Sequence, residues 1–297
     1  MSAGERPPLA RVWLAALRPR TLVASLVPVA VGSALASAEG ALRPMVGLVC
    51  VLAALALQIA TNLANDVFDY LHEIDGAARL GPVRVTQAGW LTPAEMLTAT
   101  ALALGVAALA GSYLVWIGGL PILLIGLASM LGALAYSAGP FPLASHGLGE
   151  IAAFGFFGVI AVTGTHYLHG GAFSAAALAV SIPVAALVAL IMAVNNLRDI
   201  ESDRAAGKRT LAVRIGDPAA RALCGSLVAL AFVWALGLGL LGRAPGVLLA
   251  WLALPLALAL VRDVRRARAG AEFNRALAGA ARLHAVYGGL LALGLAL

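Results

Sequence analysis

Residues 44–73 read PMVGLVCVLAALALQIATNLANDVFDYLHE. No charged residue falls between Met45 and Asn65. About 20 such apolar residues cross the roughly 30 Å hydrocarbon core of a bilayer, at a rise of about 1.5 Å per residue. With no water there to satisfy backbone groups, the crossing segment has to be a helix. The stretch therefore predicts a membrane span over 44–66. What ends it is unusual: Asn62, Asn65, Asp66, Asp69 and Glu73 follow one another on helical spacing. At about 100° per residue, Asn62, Asp66, Asp69 and Glu73 share an arc of roughly 60°. Asp75 would point the other way, so the helix is expected to break near Gly76.

The rest of the chain has the same character. Of its 297 residues 62% are hydrophobic and 11% charged, with a mean hydropathy of +0.95. Soluble domains carry about 25% charged residues. The expected organisation is one all-α, multi-pass membrane domain over residues 1–297, with nine spans near 21–38, 44–66, 94–115, 120–138, 148–168, 174–196, 219–240, 246–261 and 276–297. The apolar run from Leu22 to Ala38 is longer than a signal-peptide core of about 7–15 residues, so it reads as a retained helix rather than a cleaved signal. Cys50 and Cys224 both lie in apolar segments and read as small buried hydrophobes.

Net charge is +6, but the arginines form no single stripe, so nucleic acid is not implied. Their distribution follows the positive-inside rule instead. With nine spans, eighteen of the 20 Lys and Arg fall on one side, and only Arg43 and Arg243 on the other. The N-terminus and the loops after spans two and six are therefore expected to be cytoplasmic and the C-terminus outside.

Seven of the fourteen acids crowd into fifteen positions at those two loops, 66–75 and 199–203: Asp66, Asp69, Glu73, Asp75, Asp199, Glu201 and Asp203. On a continuous helix Asn195, Asp199 and Asp203 share an arc of roughly 80°. Carboxylates three and four residues apart repel one another, and at a hydrocarbon edge each is costly. A divalent cation relieves both costs. Hard oxygen donors without Cys or His select Mg²⁺ over zinc or copper. Mg²⁺ typically joins a few carboxylates to substrate phosphates, which points to a phosphate-bearing substrate. Lys208 is the sole lysine and follows Asp203 beside Arg204 and Arg209, as a diphosphate requires. The five histidines lack metal-ligand spacing.

The strings Asn65-Asp66-Val-Phe-Asp69-Tyr-Leu-His-Glu73 and Asp199-Ile-Glu-Ser-Asp203 resemble the paired motifs of the UbiA superfamily of intramembrane prenyltransferases, with Glu73 in place of an Asp. The resemblance runs from Arg18-Pro-Arg-Thr21 to the C-terminal helices. Within the superfamily it is nearest the branch that prenylates 1,4-dihydroxy-2-naphthoate in menaquinone biosynthesis. The supporting strings are 79–87, Tyr136-Ser-Ala-Gly-Pro-Phe-Pro142, Gly147-Leu-Gly-Glu150 and 198–216. Ser145-His146 departs from the pattern, where relatives often carry a basic residue.

That resemblance implies helices around a central cavity, with Asp66, Asp69, Asp199 and Asp203 holding Mg²⁺ against a polyprenyl diphosphate. It implies a supporting Glu73, a leaving group neutralised by Lys208 and Arg209, and substrate contacts from Asn62, Asn65, Arg79, Arg84, Tyr136 and Asn195. The reaction implied is polyprenyl transfer to 1,4-dihydroxy-2-naphthoate with loss of CO2, giving demethylmenaquinol. Phe154, Phe156 and Phe157 are further candidates for facing a carbocation. Two other readings fit parts of the pattern: a relative acting on another aromatic acceptor such as 4-hydroxybenzoate, and a cation-coupled transporter. A transporter is expected to carry polar groups at mid-bilayer, whereas these acids sit at one side.

Overall fold

The computed structural model describes residues 7–71, 81, 83–139, 141–241, 244–268 and 270–297, and all regular structure among them is helical. In chain order the helices are α1 Leu9–Leu17, α2 Val23–Ala38, α3 Pro44–Leu71, α4 Pro93–Ala135, α5 Gly149–Gly170 and α6 Ala175–Arg198. They continue with α7 Ile200–Ala205, α8 Leu211–Ile215, α9 Asp217–Leu241, α10 Pro245–Arg266 and α11 Gly270–Ala296. Among the described residues seven helices are long and apolar enough to cross a membrane. Residues Leu9–Thr21 with α2, bent by 46°, make an eighth.

Nine spans were expected, and the counts differ at α4, which is two helices continuous across a kink rather than one straight crossing. The segments 94–115 and 120–138 run as one 43-residue helical stretch. Straight, it would reach about 65 Å, roughly twice the hydrocarbon thickness. Gly119 interrupts it with φ 65° and ψ −152°, a conformation that glycine takes without a Cβ penalty, and Pro121 follows without an N–H to donate. Thr92 and Glu95 close a reciprocal capping box at its start.

The bend between α1 and α2 is made by Arg18, which has φ 49° and ψ 65°. An L-residue pays about 1 kcal/mol or more for that conformation. Asn62 of α3 ties the bend down, its Nδ2 donating to Leu17 O at 3.0 Å and to Thr21 Oγ1 at 2.9 Å. Val12, Ala16, Leu63, Val67, Val85 and Met96 pack together beside it. This small apolar cluster holds α1 and the loop after α3 against the acidic end of α3.

The most deeply buried helix is α6, in which every residue from Pro183 to Leu190 is buried. It packs against α5 through a π-helical stretch, Ala153–Ile160. There the two backbones nearly touch: a Cβ on Gly158 would stand 2.1 Å from Ala185 Cβ and 2.3 Å from its Cα. The main core joins α2, α6, α9, α10 and α11 through Val31, Leu187, Leu190, Phe232, Leu283 and Tyr287. Large apolar residues such as Leu102, Leu109, Trp116 and Leu131 point outward, as a lipid-facing helix requires. Cys50 and Cys224 are free and buried, as expected. Away from the acids, His166 contacts Glu39 at 2.7 Å and His169 contacts Ser33 at 3.0 Å, linking α5 to α2.

Candidate active site at the acidic end of a membrane cavity

A cavity of about 1760 Å³ lies between the helices. Most of its wall is apolar, with Ala, Leu, Ile and Val from α2 to α6 and α11. One end is polar and gathers Asn62, Asn65 and Asp69 from α3, Tyr136, Asn195 and Asp199 around α6, and Asp203 and Lys208 beyond it.

The two acidic stripes converge. Lys208 Nζ lies 3.9 Å from Asp69 Oδ1 and 4.0 Å from Asp203 Oδ1. The expectation that α3 and α6 bring their acids to one side is therefore met in the geometry. Lys208 is held in place by its own N–H, which donates to Asp203 O at 2.9 Å.

Each carboxylate has a distinct environment. Asp66 is 1% exposed and does not border the cavity. Its oxygens accept from Val85 N at 3.2 Å and Thr86 N at 3.1 Å, and Arg18 Nη2 lies 3.9 Å away. Asp66 therefore binds the loop after α3 into the site. Asp69 receives Arg84 from that same loop. Asp199 caps α6 and is forked by Arg198, Nε to Oδ1 at 2.7 Å and Nη2 to Oδ2 at 2.5 Å. Burial raises Asp203 to about 6, with Asp199 and Asp69 adding to the rise and Lys208 and Thr210 opposing it.

The continuous helix expected through Asp203 breaks at Asp199, where ψ is 8°. Asp203 stays one turn further on because its N–H donates to Asp199 O at 2.7 Å. Asn65 accepts from Ser137, and Tyr136 donates to Met192 Sδ at 3.0 Å. Asn195 accepts from Arg198 at 3.0 Å. Phe156 and Phe157 border the cavity, whereas Phe154 packs against the main core. Arg209 is exposed and does not line the cavity, although its N–H donates to Ser145 O at 2.9 Å. Glu73, Asp75, Gly76 and Arg79 lie outside the described residues.

Three residues escaped the sequence reading. Arg198 looked like a topology signal, yet it is 3% exposed, borders the cavity and also reaches Asn274 of α11 at 3.1 Å. Its place between Asn195 and Asp199 was the available clue. Asn196 and Glu150 were the other two, joined to each other at 2.9 Å.

Among the described residues no group of three or more His, Cys, Asp and Glu is close enough to hold a metal on its own. The carboxylates are instead spread around Lys208, Arg84 and Arg198. The donor set still suits a hard divalent cation, since Asp69, Asp199 and Asp203 all border the cavity and offer only oxygen.

Known proteins share this architecture and sequence. An octaprenyltransferase from Mycobacterium tuberculosis, "1,4-dihydroxy-2-naphthoate octaprenyltransferase", is 37% identical over 260 residues, 88% of each chain. The Escherichia coli protein of the same name is 37% identical over 232 residues, 74% of this chain and 75% of its own. Among solved structures, a UbiA homolog from Aeropyrum pernix superposes with a TM-score of 0.70 at 18% identity, covering 92% of this chain and 97% of that one. Another from Archaeoglobus fulgidus, bound to GPP and Mg²⁺, has a TM-score of 0.61 at 16% identity, over 94% and 99% of the two chains. The profile of the UbiA prenyltransferase family matches residues 25–281, and the chain is a member of that family.

Proposed function

We propose that this chain transfers a polyprenyl group from polyprenyl diphosphate to 1,4-dihydroxy-2-naphthoate with loss of CO2, giving demethylmenaquinol for menaquinone biosynthesis. The observation that carries the reading is Lys208 between Asp69 and Asp203 at the polar end of an otherwise apolar cavity. An amphiphile with a diphosphate head and a hydrocarbon tail fits both halves of that space. The naphthoate acceptor follows from the relatives at 37% identity, which are naphthoate octaprenyltransferases by name.

Asp69, Asp199 and Asp203, backed by Asp66, are the residues that would hold Mg²⁺. When bound, that ion stabilises the negative charge of a departing diphosphate. Lys208 and Arg84 add fixed positive charge beside the same position, where charge develops as the allylic C–O bond breaks. The acceptor ring attacks the allylic carbon, diphosphate leaves, and the ring carboxylate departs as CO2. Apolar walls keep water from the carbocation, and Phe156 and Phe157, which line the same cavity, supply aromatic rings suited to a cation. Glu73 and Arg79 are assigned to donor binding on their motif positions alone.

The whole of residues 1–297 acts as one cell-membrane domain; with α4 crossing twice, once on each side of Gly119, the split of Lys and Arg puts the N-terminus and active-site loops in the cytoplasm and the C-terminus outside. Impermeant thiol labelling of Glu5→Cys and Leu297→Cys in intact cells tests that orientation. The main experiment uses purified protein in detergent with polyprenyl diphosphate, carboxyl-labelled dihydroxynaphthoate and Mg²⁺. Equal release of CO2 and diphosphate is expected, abolished by EDTA and restored by added Mg²⁺. Asp69→Ala and Asp203→Ala are each expected to lower turnover by about 100-fold or more. Prenylation of 4-hydroxybenzoate with the naphthoate inert would replace the acceptor.

A further inference from the structure

Glu150 sits one residue inside α5 and is 6% exposed. Its Oε1 accepts from Asn196 Nδ2 at 2.9 Å, while its Oε2 is buried with no hydrogen-bond partner. A buried carboxyl with one oxygen unspent is costly, and leucine or glutamine would fill the space at a lower cost. Packing alone therefore does not account for a carboxyl here. What it secures is the amide of Asn196, which borders the cavity on α6.

A carboxyl oxygen facing an amide fixes which way that amide points, because two acceptors would repel. With Nδ2 committed to Glu150, Asn196 Oδ1 is the pole left for the cavity. Tyr136 stands beside it. A Cβ on Gly149 would lie 3.3 Å from Tyr136 Oη and 3.7 Å from Asn196 Nδ2, so both groups close over the glycine. Tyr136 spends its proton on Met192 Sδ at 3.0 Å and so offers lone pairs as well. A wall that presents lone pairs receives an O–H donor. In an aromatic prenyl acceptor that donor is a phenolic hydroxyl.

We infer that Glu150 is a positioning residue: it locks the Asn196 amide so that Oδ1 receives a phenolic hydroxyl of the acceptor, and so sets the angle at which the ring meets the prenyl carbon. The inference rests on the aromatic-acceptor reading above. Asn195, its neighbour in sequence, is turned to Arg198 instead and serves the acidic side of the cavity.

The test is steady-state prenyl transfer with Glu150→Leu, Glu150→Gln and Asn196→Leu, varying acceptor and donor separately. Glu150→Leu and Asn196→Leu are expected to raise the acceptor KM about tenfold, the usual size of one hydrogen bond lost, and to leave the donor KM unchanged. Glu150→Gln keeps an oxygen for Asn196 Nδ2 and is expected to stay within about twofold of wild type. Wild type is further expected to disfavour the mono-O-methyl ether of the naphthoate, and both leucine variants to lose that discrimination. An unchanged donor KM reports that the variants are folded. If Glu150→Gln is as damaged as Glu150→Leu, or Glu150→Leu keeps its acceptor KM and its discrimination, the positioning role is overturned. Absence of any transfer to the naphthoate by wild type overturns the acceptor reading and this inference with it.

Discussion

Arg198 forks Asp199 through two hydrogen bonds, Nε to Oδ1 at 2.7 Å and Nη2 to Oδ2 at 2.5 Å, at the last turn of α6. The same guanidinium reaches Asn195 and Asn274, so one side chain joins α6, its acid and α11. Planar, two-pronged donation of this kind is beyond lysine. Arg198→Lys is therefore expected to lower turnover by about 10- to 100-fold while the protein stays folded. Arg198→Ala leaves a half-buried carboxylate without its partner and is expected to cost about 1–3 kcal/mol of stability as well. Turnover and the apparent Tm in detergent distinguish the two.

Asp203, raised to about 6, makes the site sensitive to mild acid. Its folded value lies above the ordinary carboxyl value of 3.8, so the folded state binds the proton more tightly. Without Mg²⁺ the protein is expected to lose stability as pH rises from about 4 to 6 and to change little above that. Metal affinity runs the other way, because a ligand has to be deprotonated. Calorimetric titration is expected to show Mg²⁺ binding weakening by up to about tenfold per pH unit below 6. Lys208 holds Asp203 down, so Lys208→Ala is expected to move the acid limb of the rate profile to higher pH.

Asn62 is 3% exposed and uses both hydrogens of its amide to hold the bend at Arg18. Asn62→Asp keeps the shape and replaces donors by acceptors, setting a carboxylate against Leu17 O. A loss of about 2 kcal/mol or more is expected, seen as a lower apparent Tm. Asn62→Asp is also expected to lower turnover, since Arg18 faces Asp66 from that bend.

Gly158 admits no side chain against Ala185. Gly158→Ala is expected to cost about 1–3 kcal/mol, as overpacked cores do. Ala185→Gly is expected to rescue it only in part, because the new methyl would still stand 2.3 Å from the Cα of residue 185. Thermal unfolding of the single and double variants checks this.

Much of the site was legible because helical period and membrane thickness are both local rules. Apolar length located the long helices. The spacing of Asp66, Asp69, Asp199 and Asp203 put carboxylates at matching ends, and Lys208 does lie between two of them. Other features depend on contacts distant in sequence. Asp66 turns to the backbone of Val85 and Thr86, which no periodicity in α3 encodes. Arg198 carries the charge expected of a cytoplasmic loop, and only packing against α11 shows that it points inward. The two expected spans inside α4 meet at Gly119, where a single backbone residue breaks the helix without the polar loop that normally marks a boundary.

The contact at Gly158 and Ala185 has a mechanical reading. Two backbones in that proximity slide or part only by breaking the densest packing available to them, so α5 and α6 behave as one stiff plate. The stretch of chamber wall that they line is thus a fixed anvil. Longer or bulkier hydrocarbon tails have to be accommodated by the opposite wall, where the broken α4 supplies a joint at Gly119.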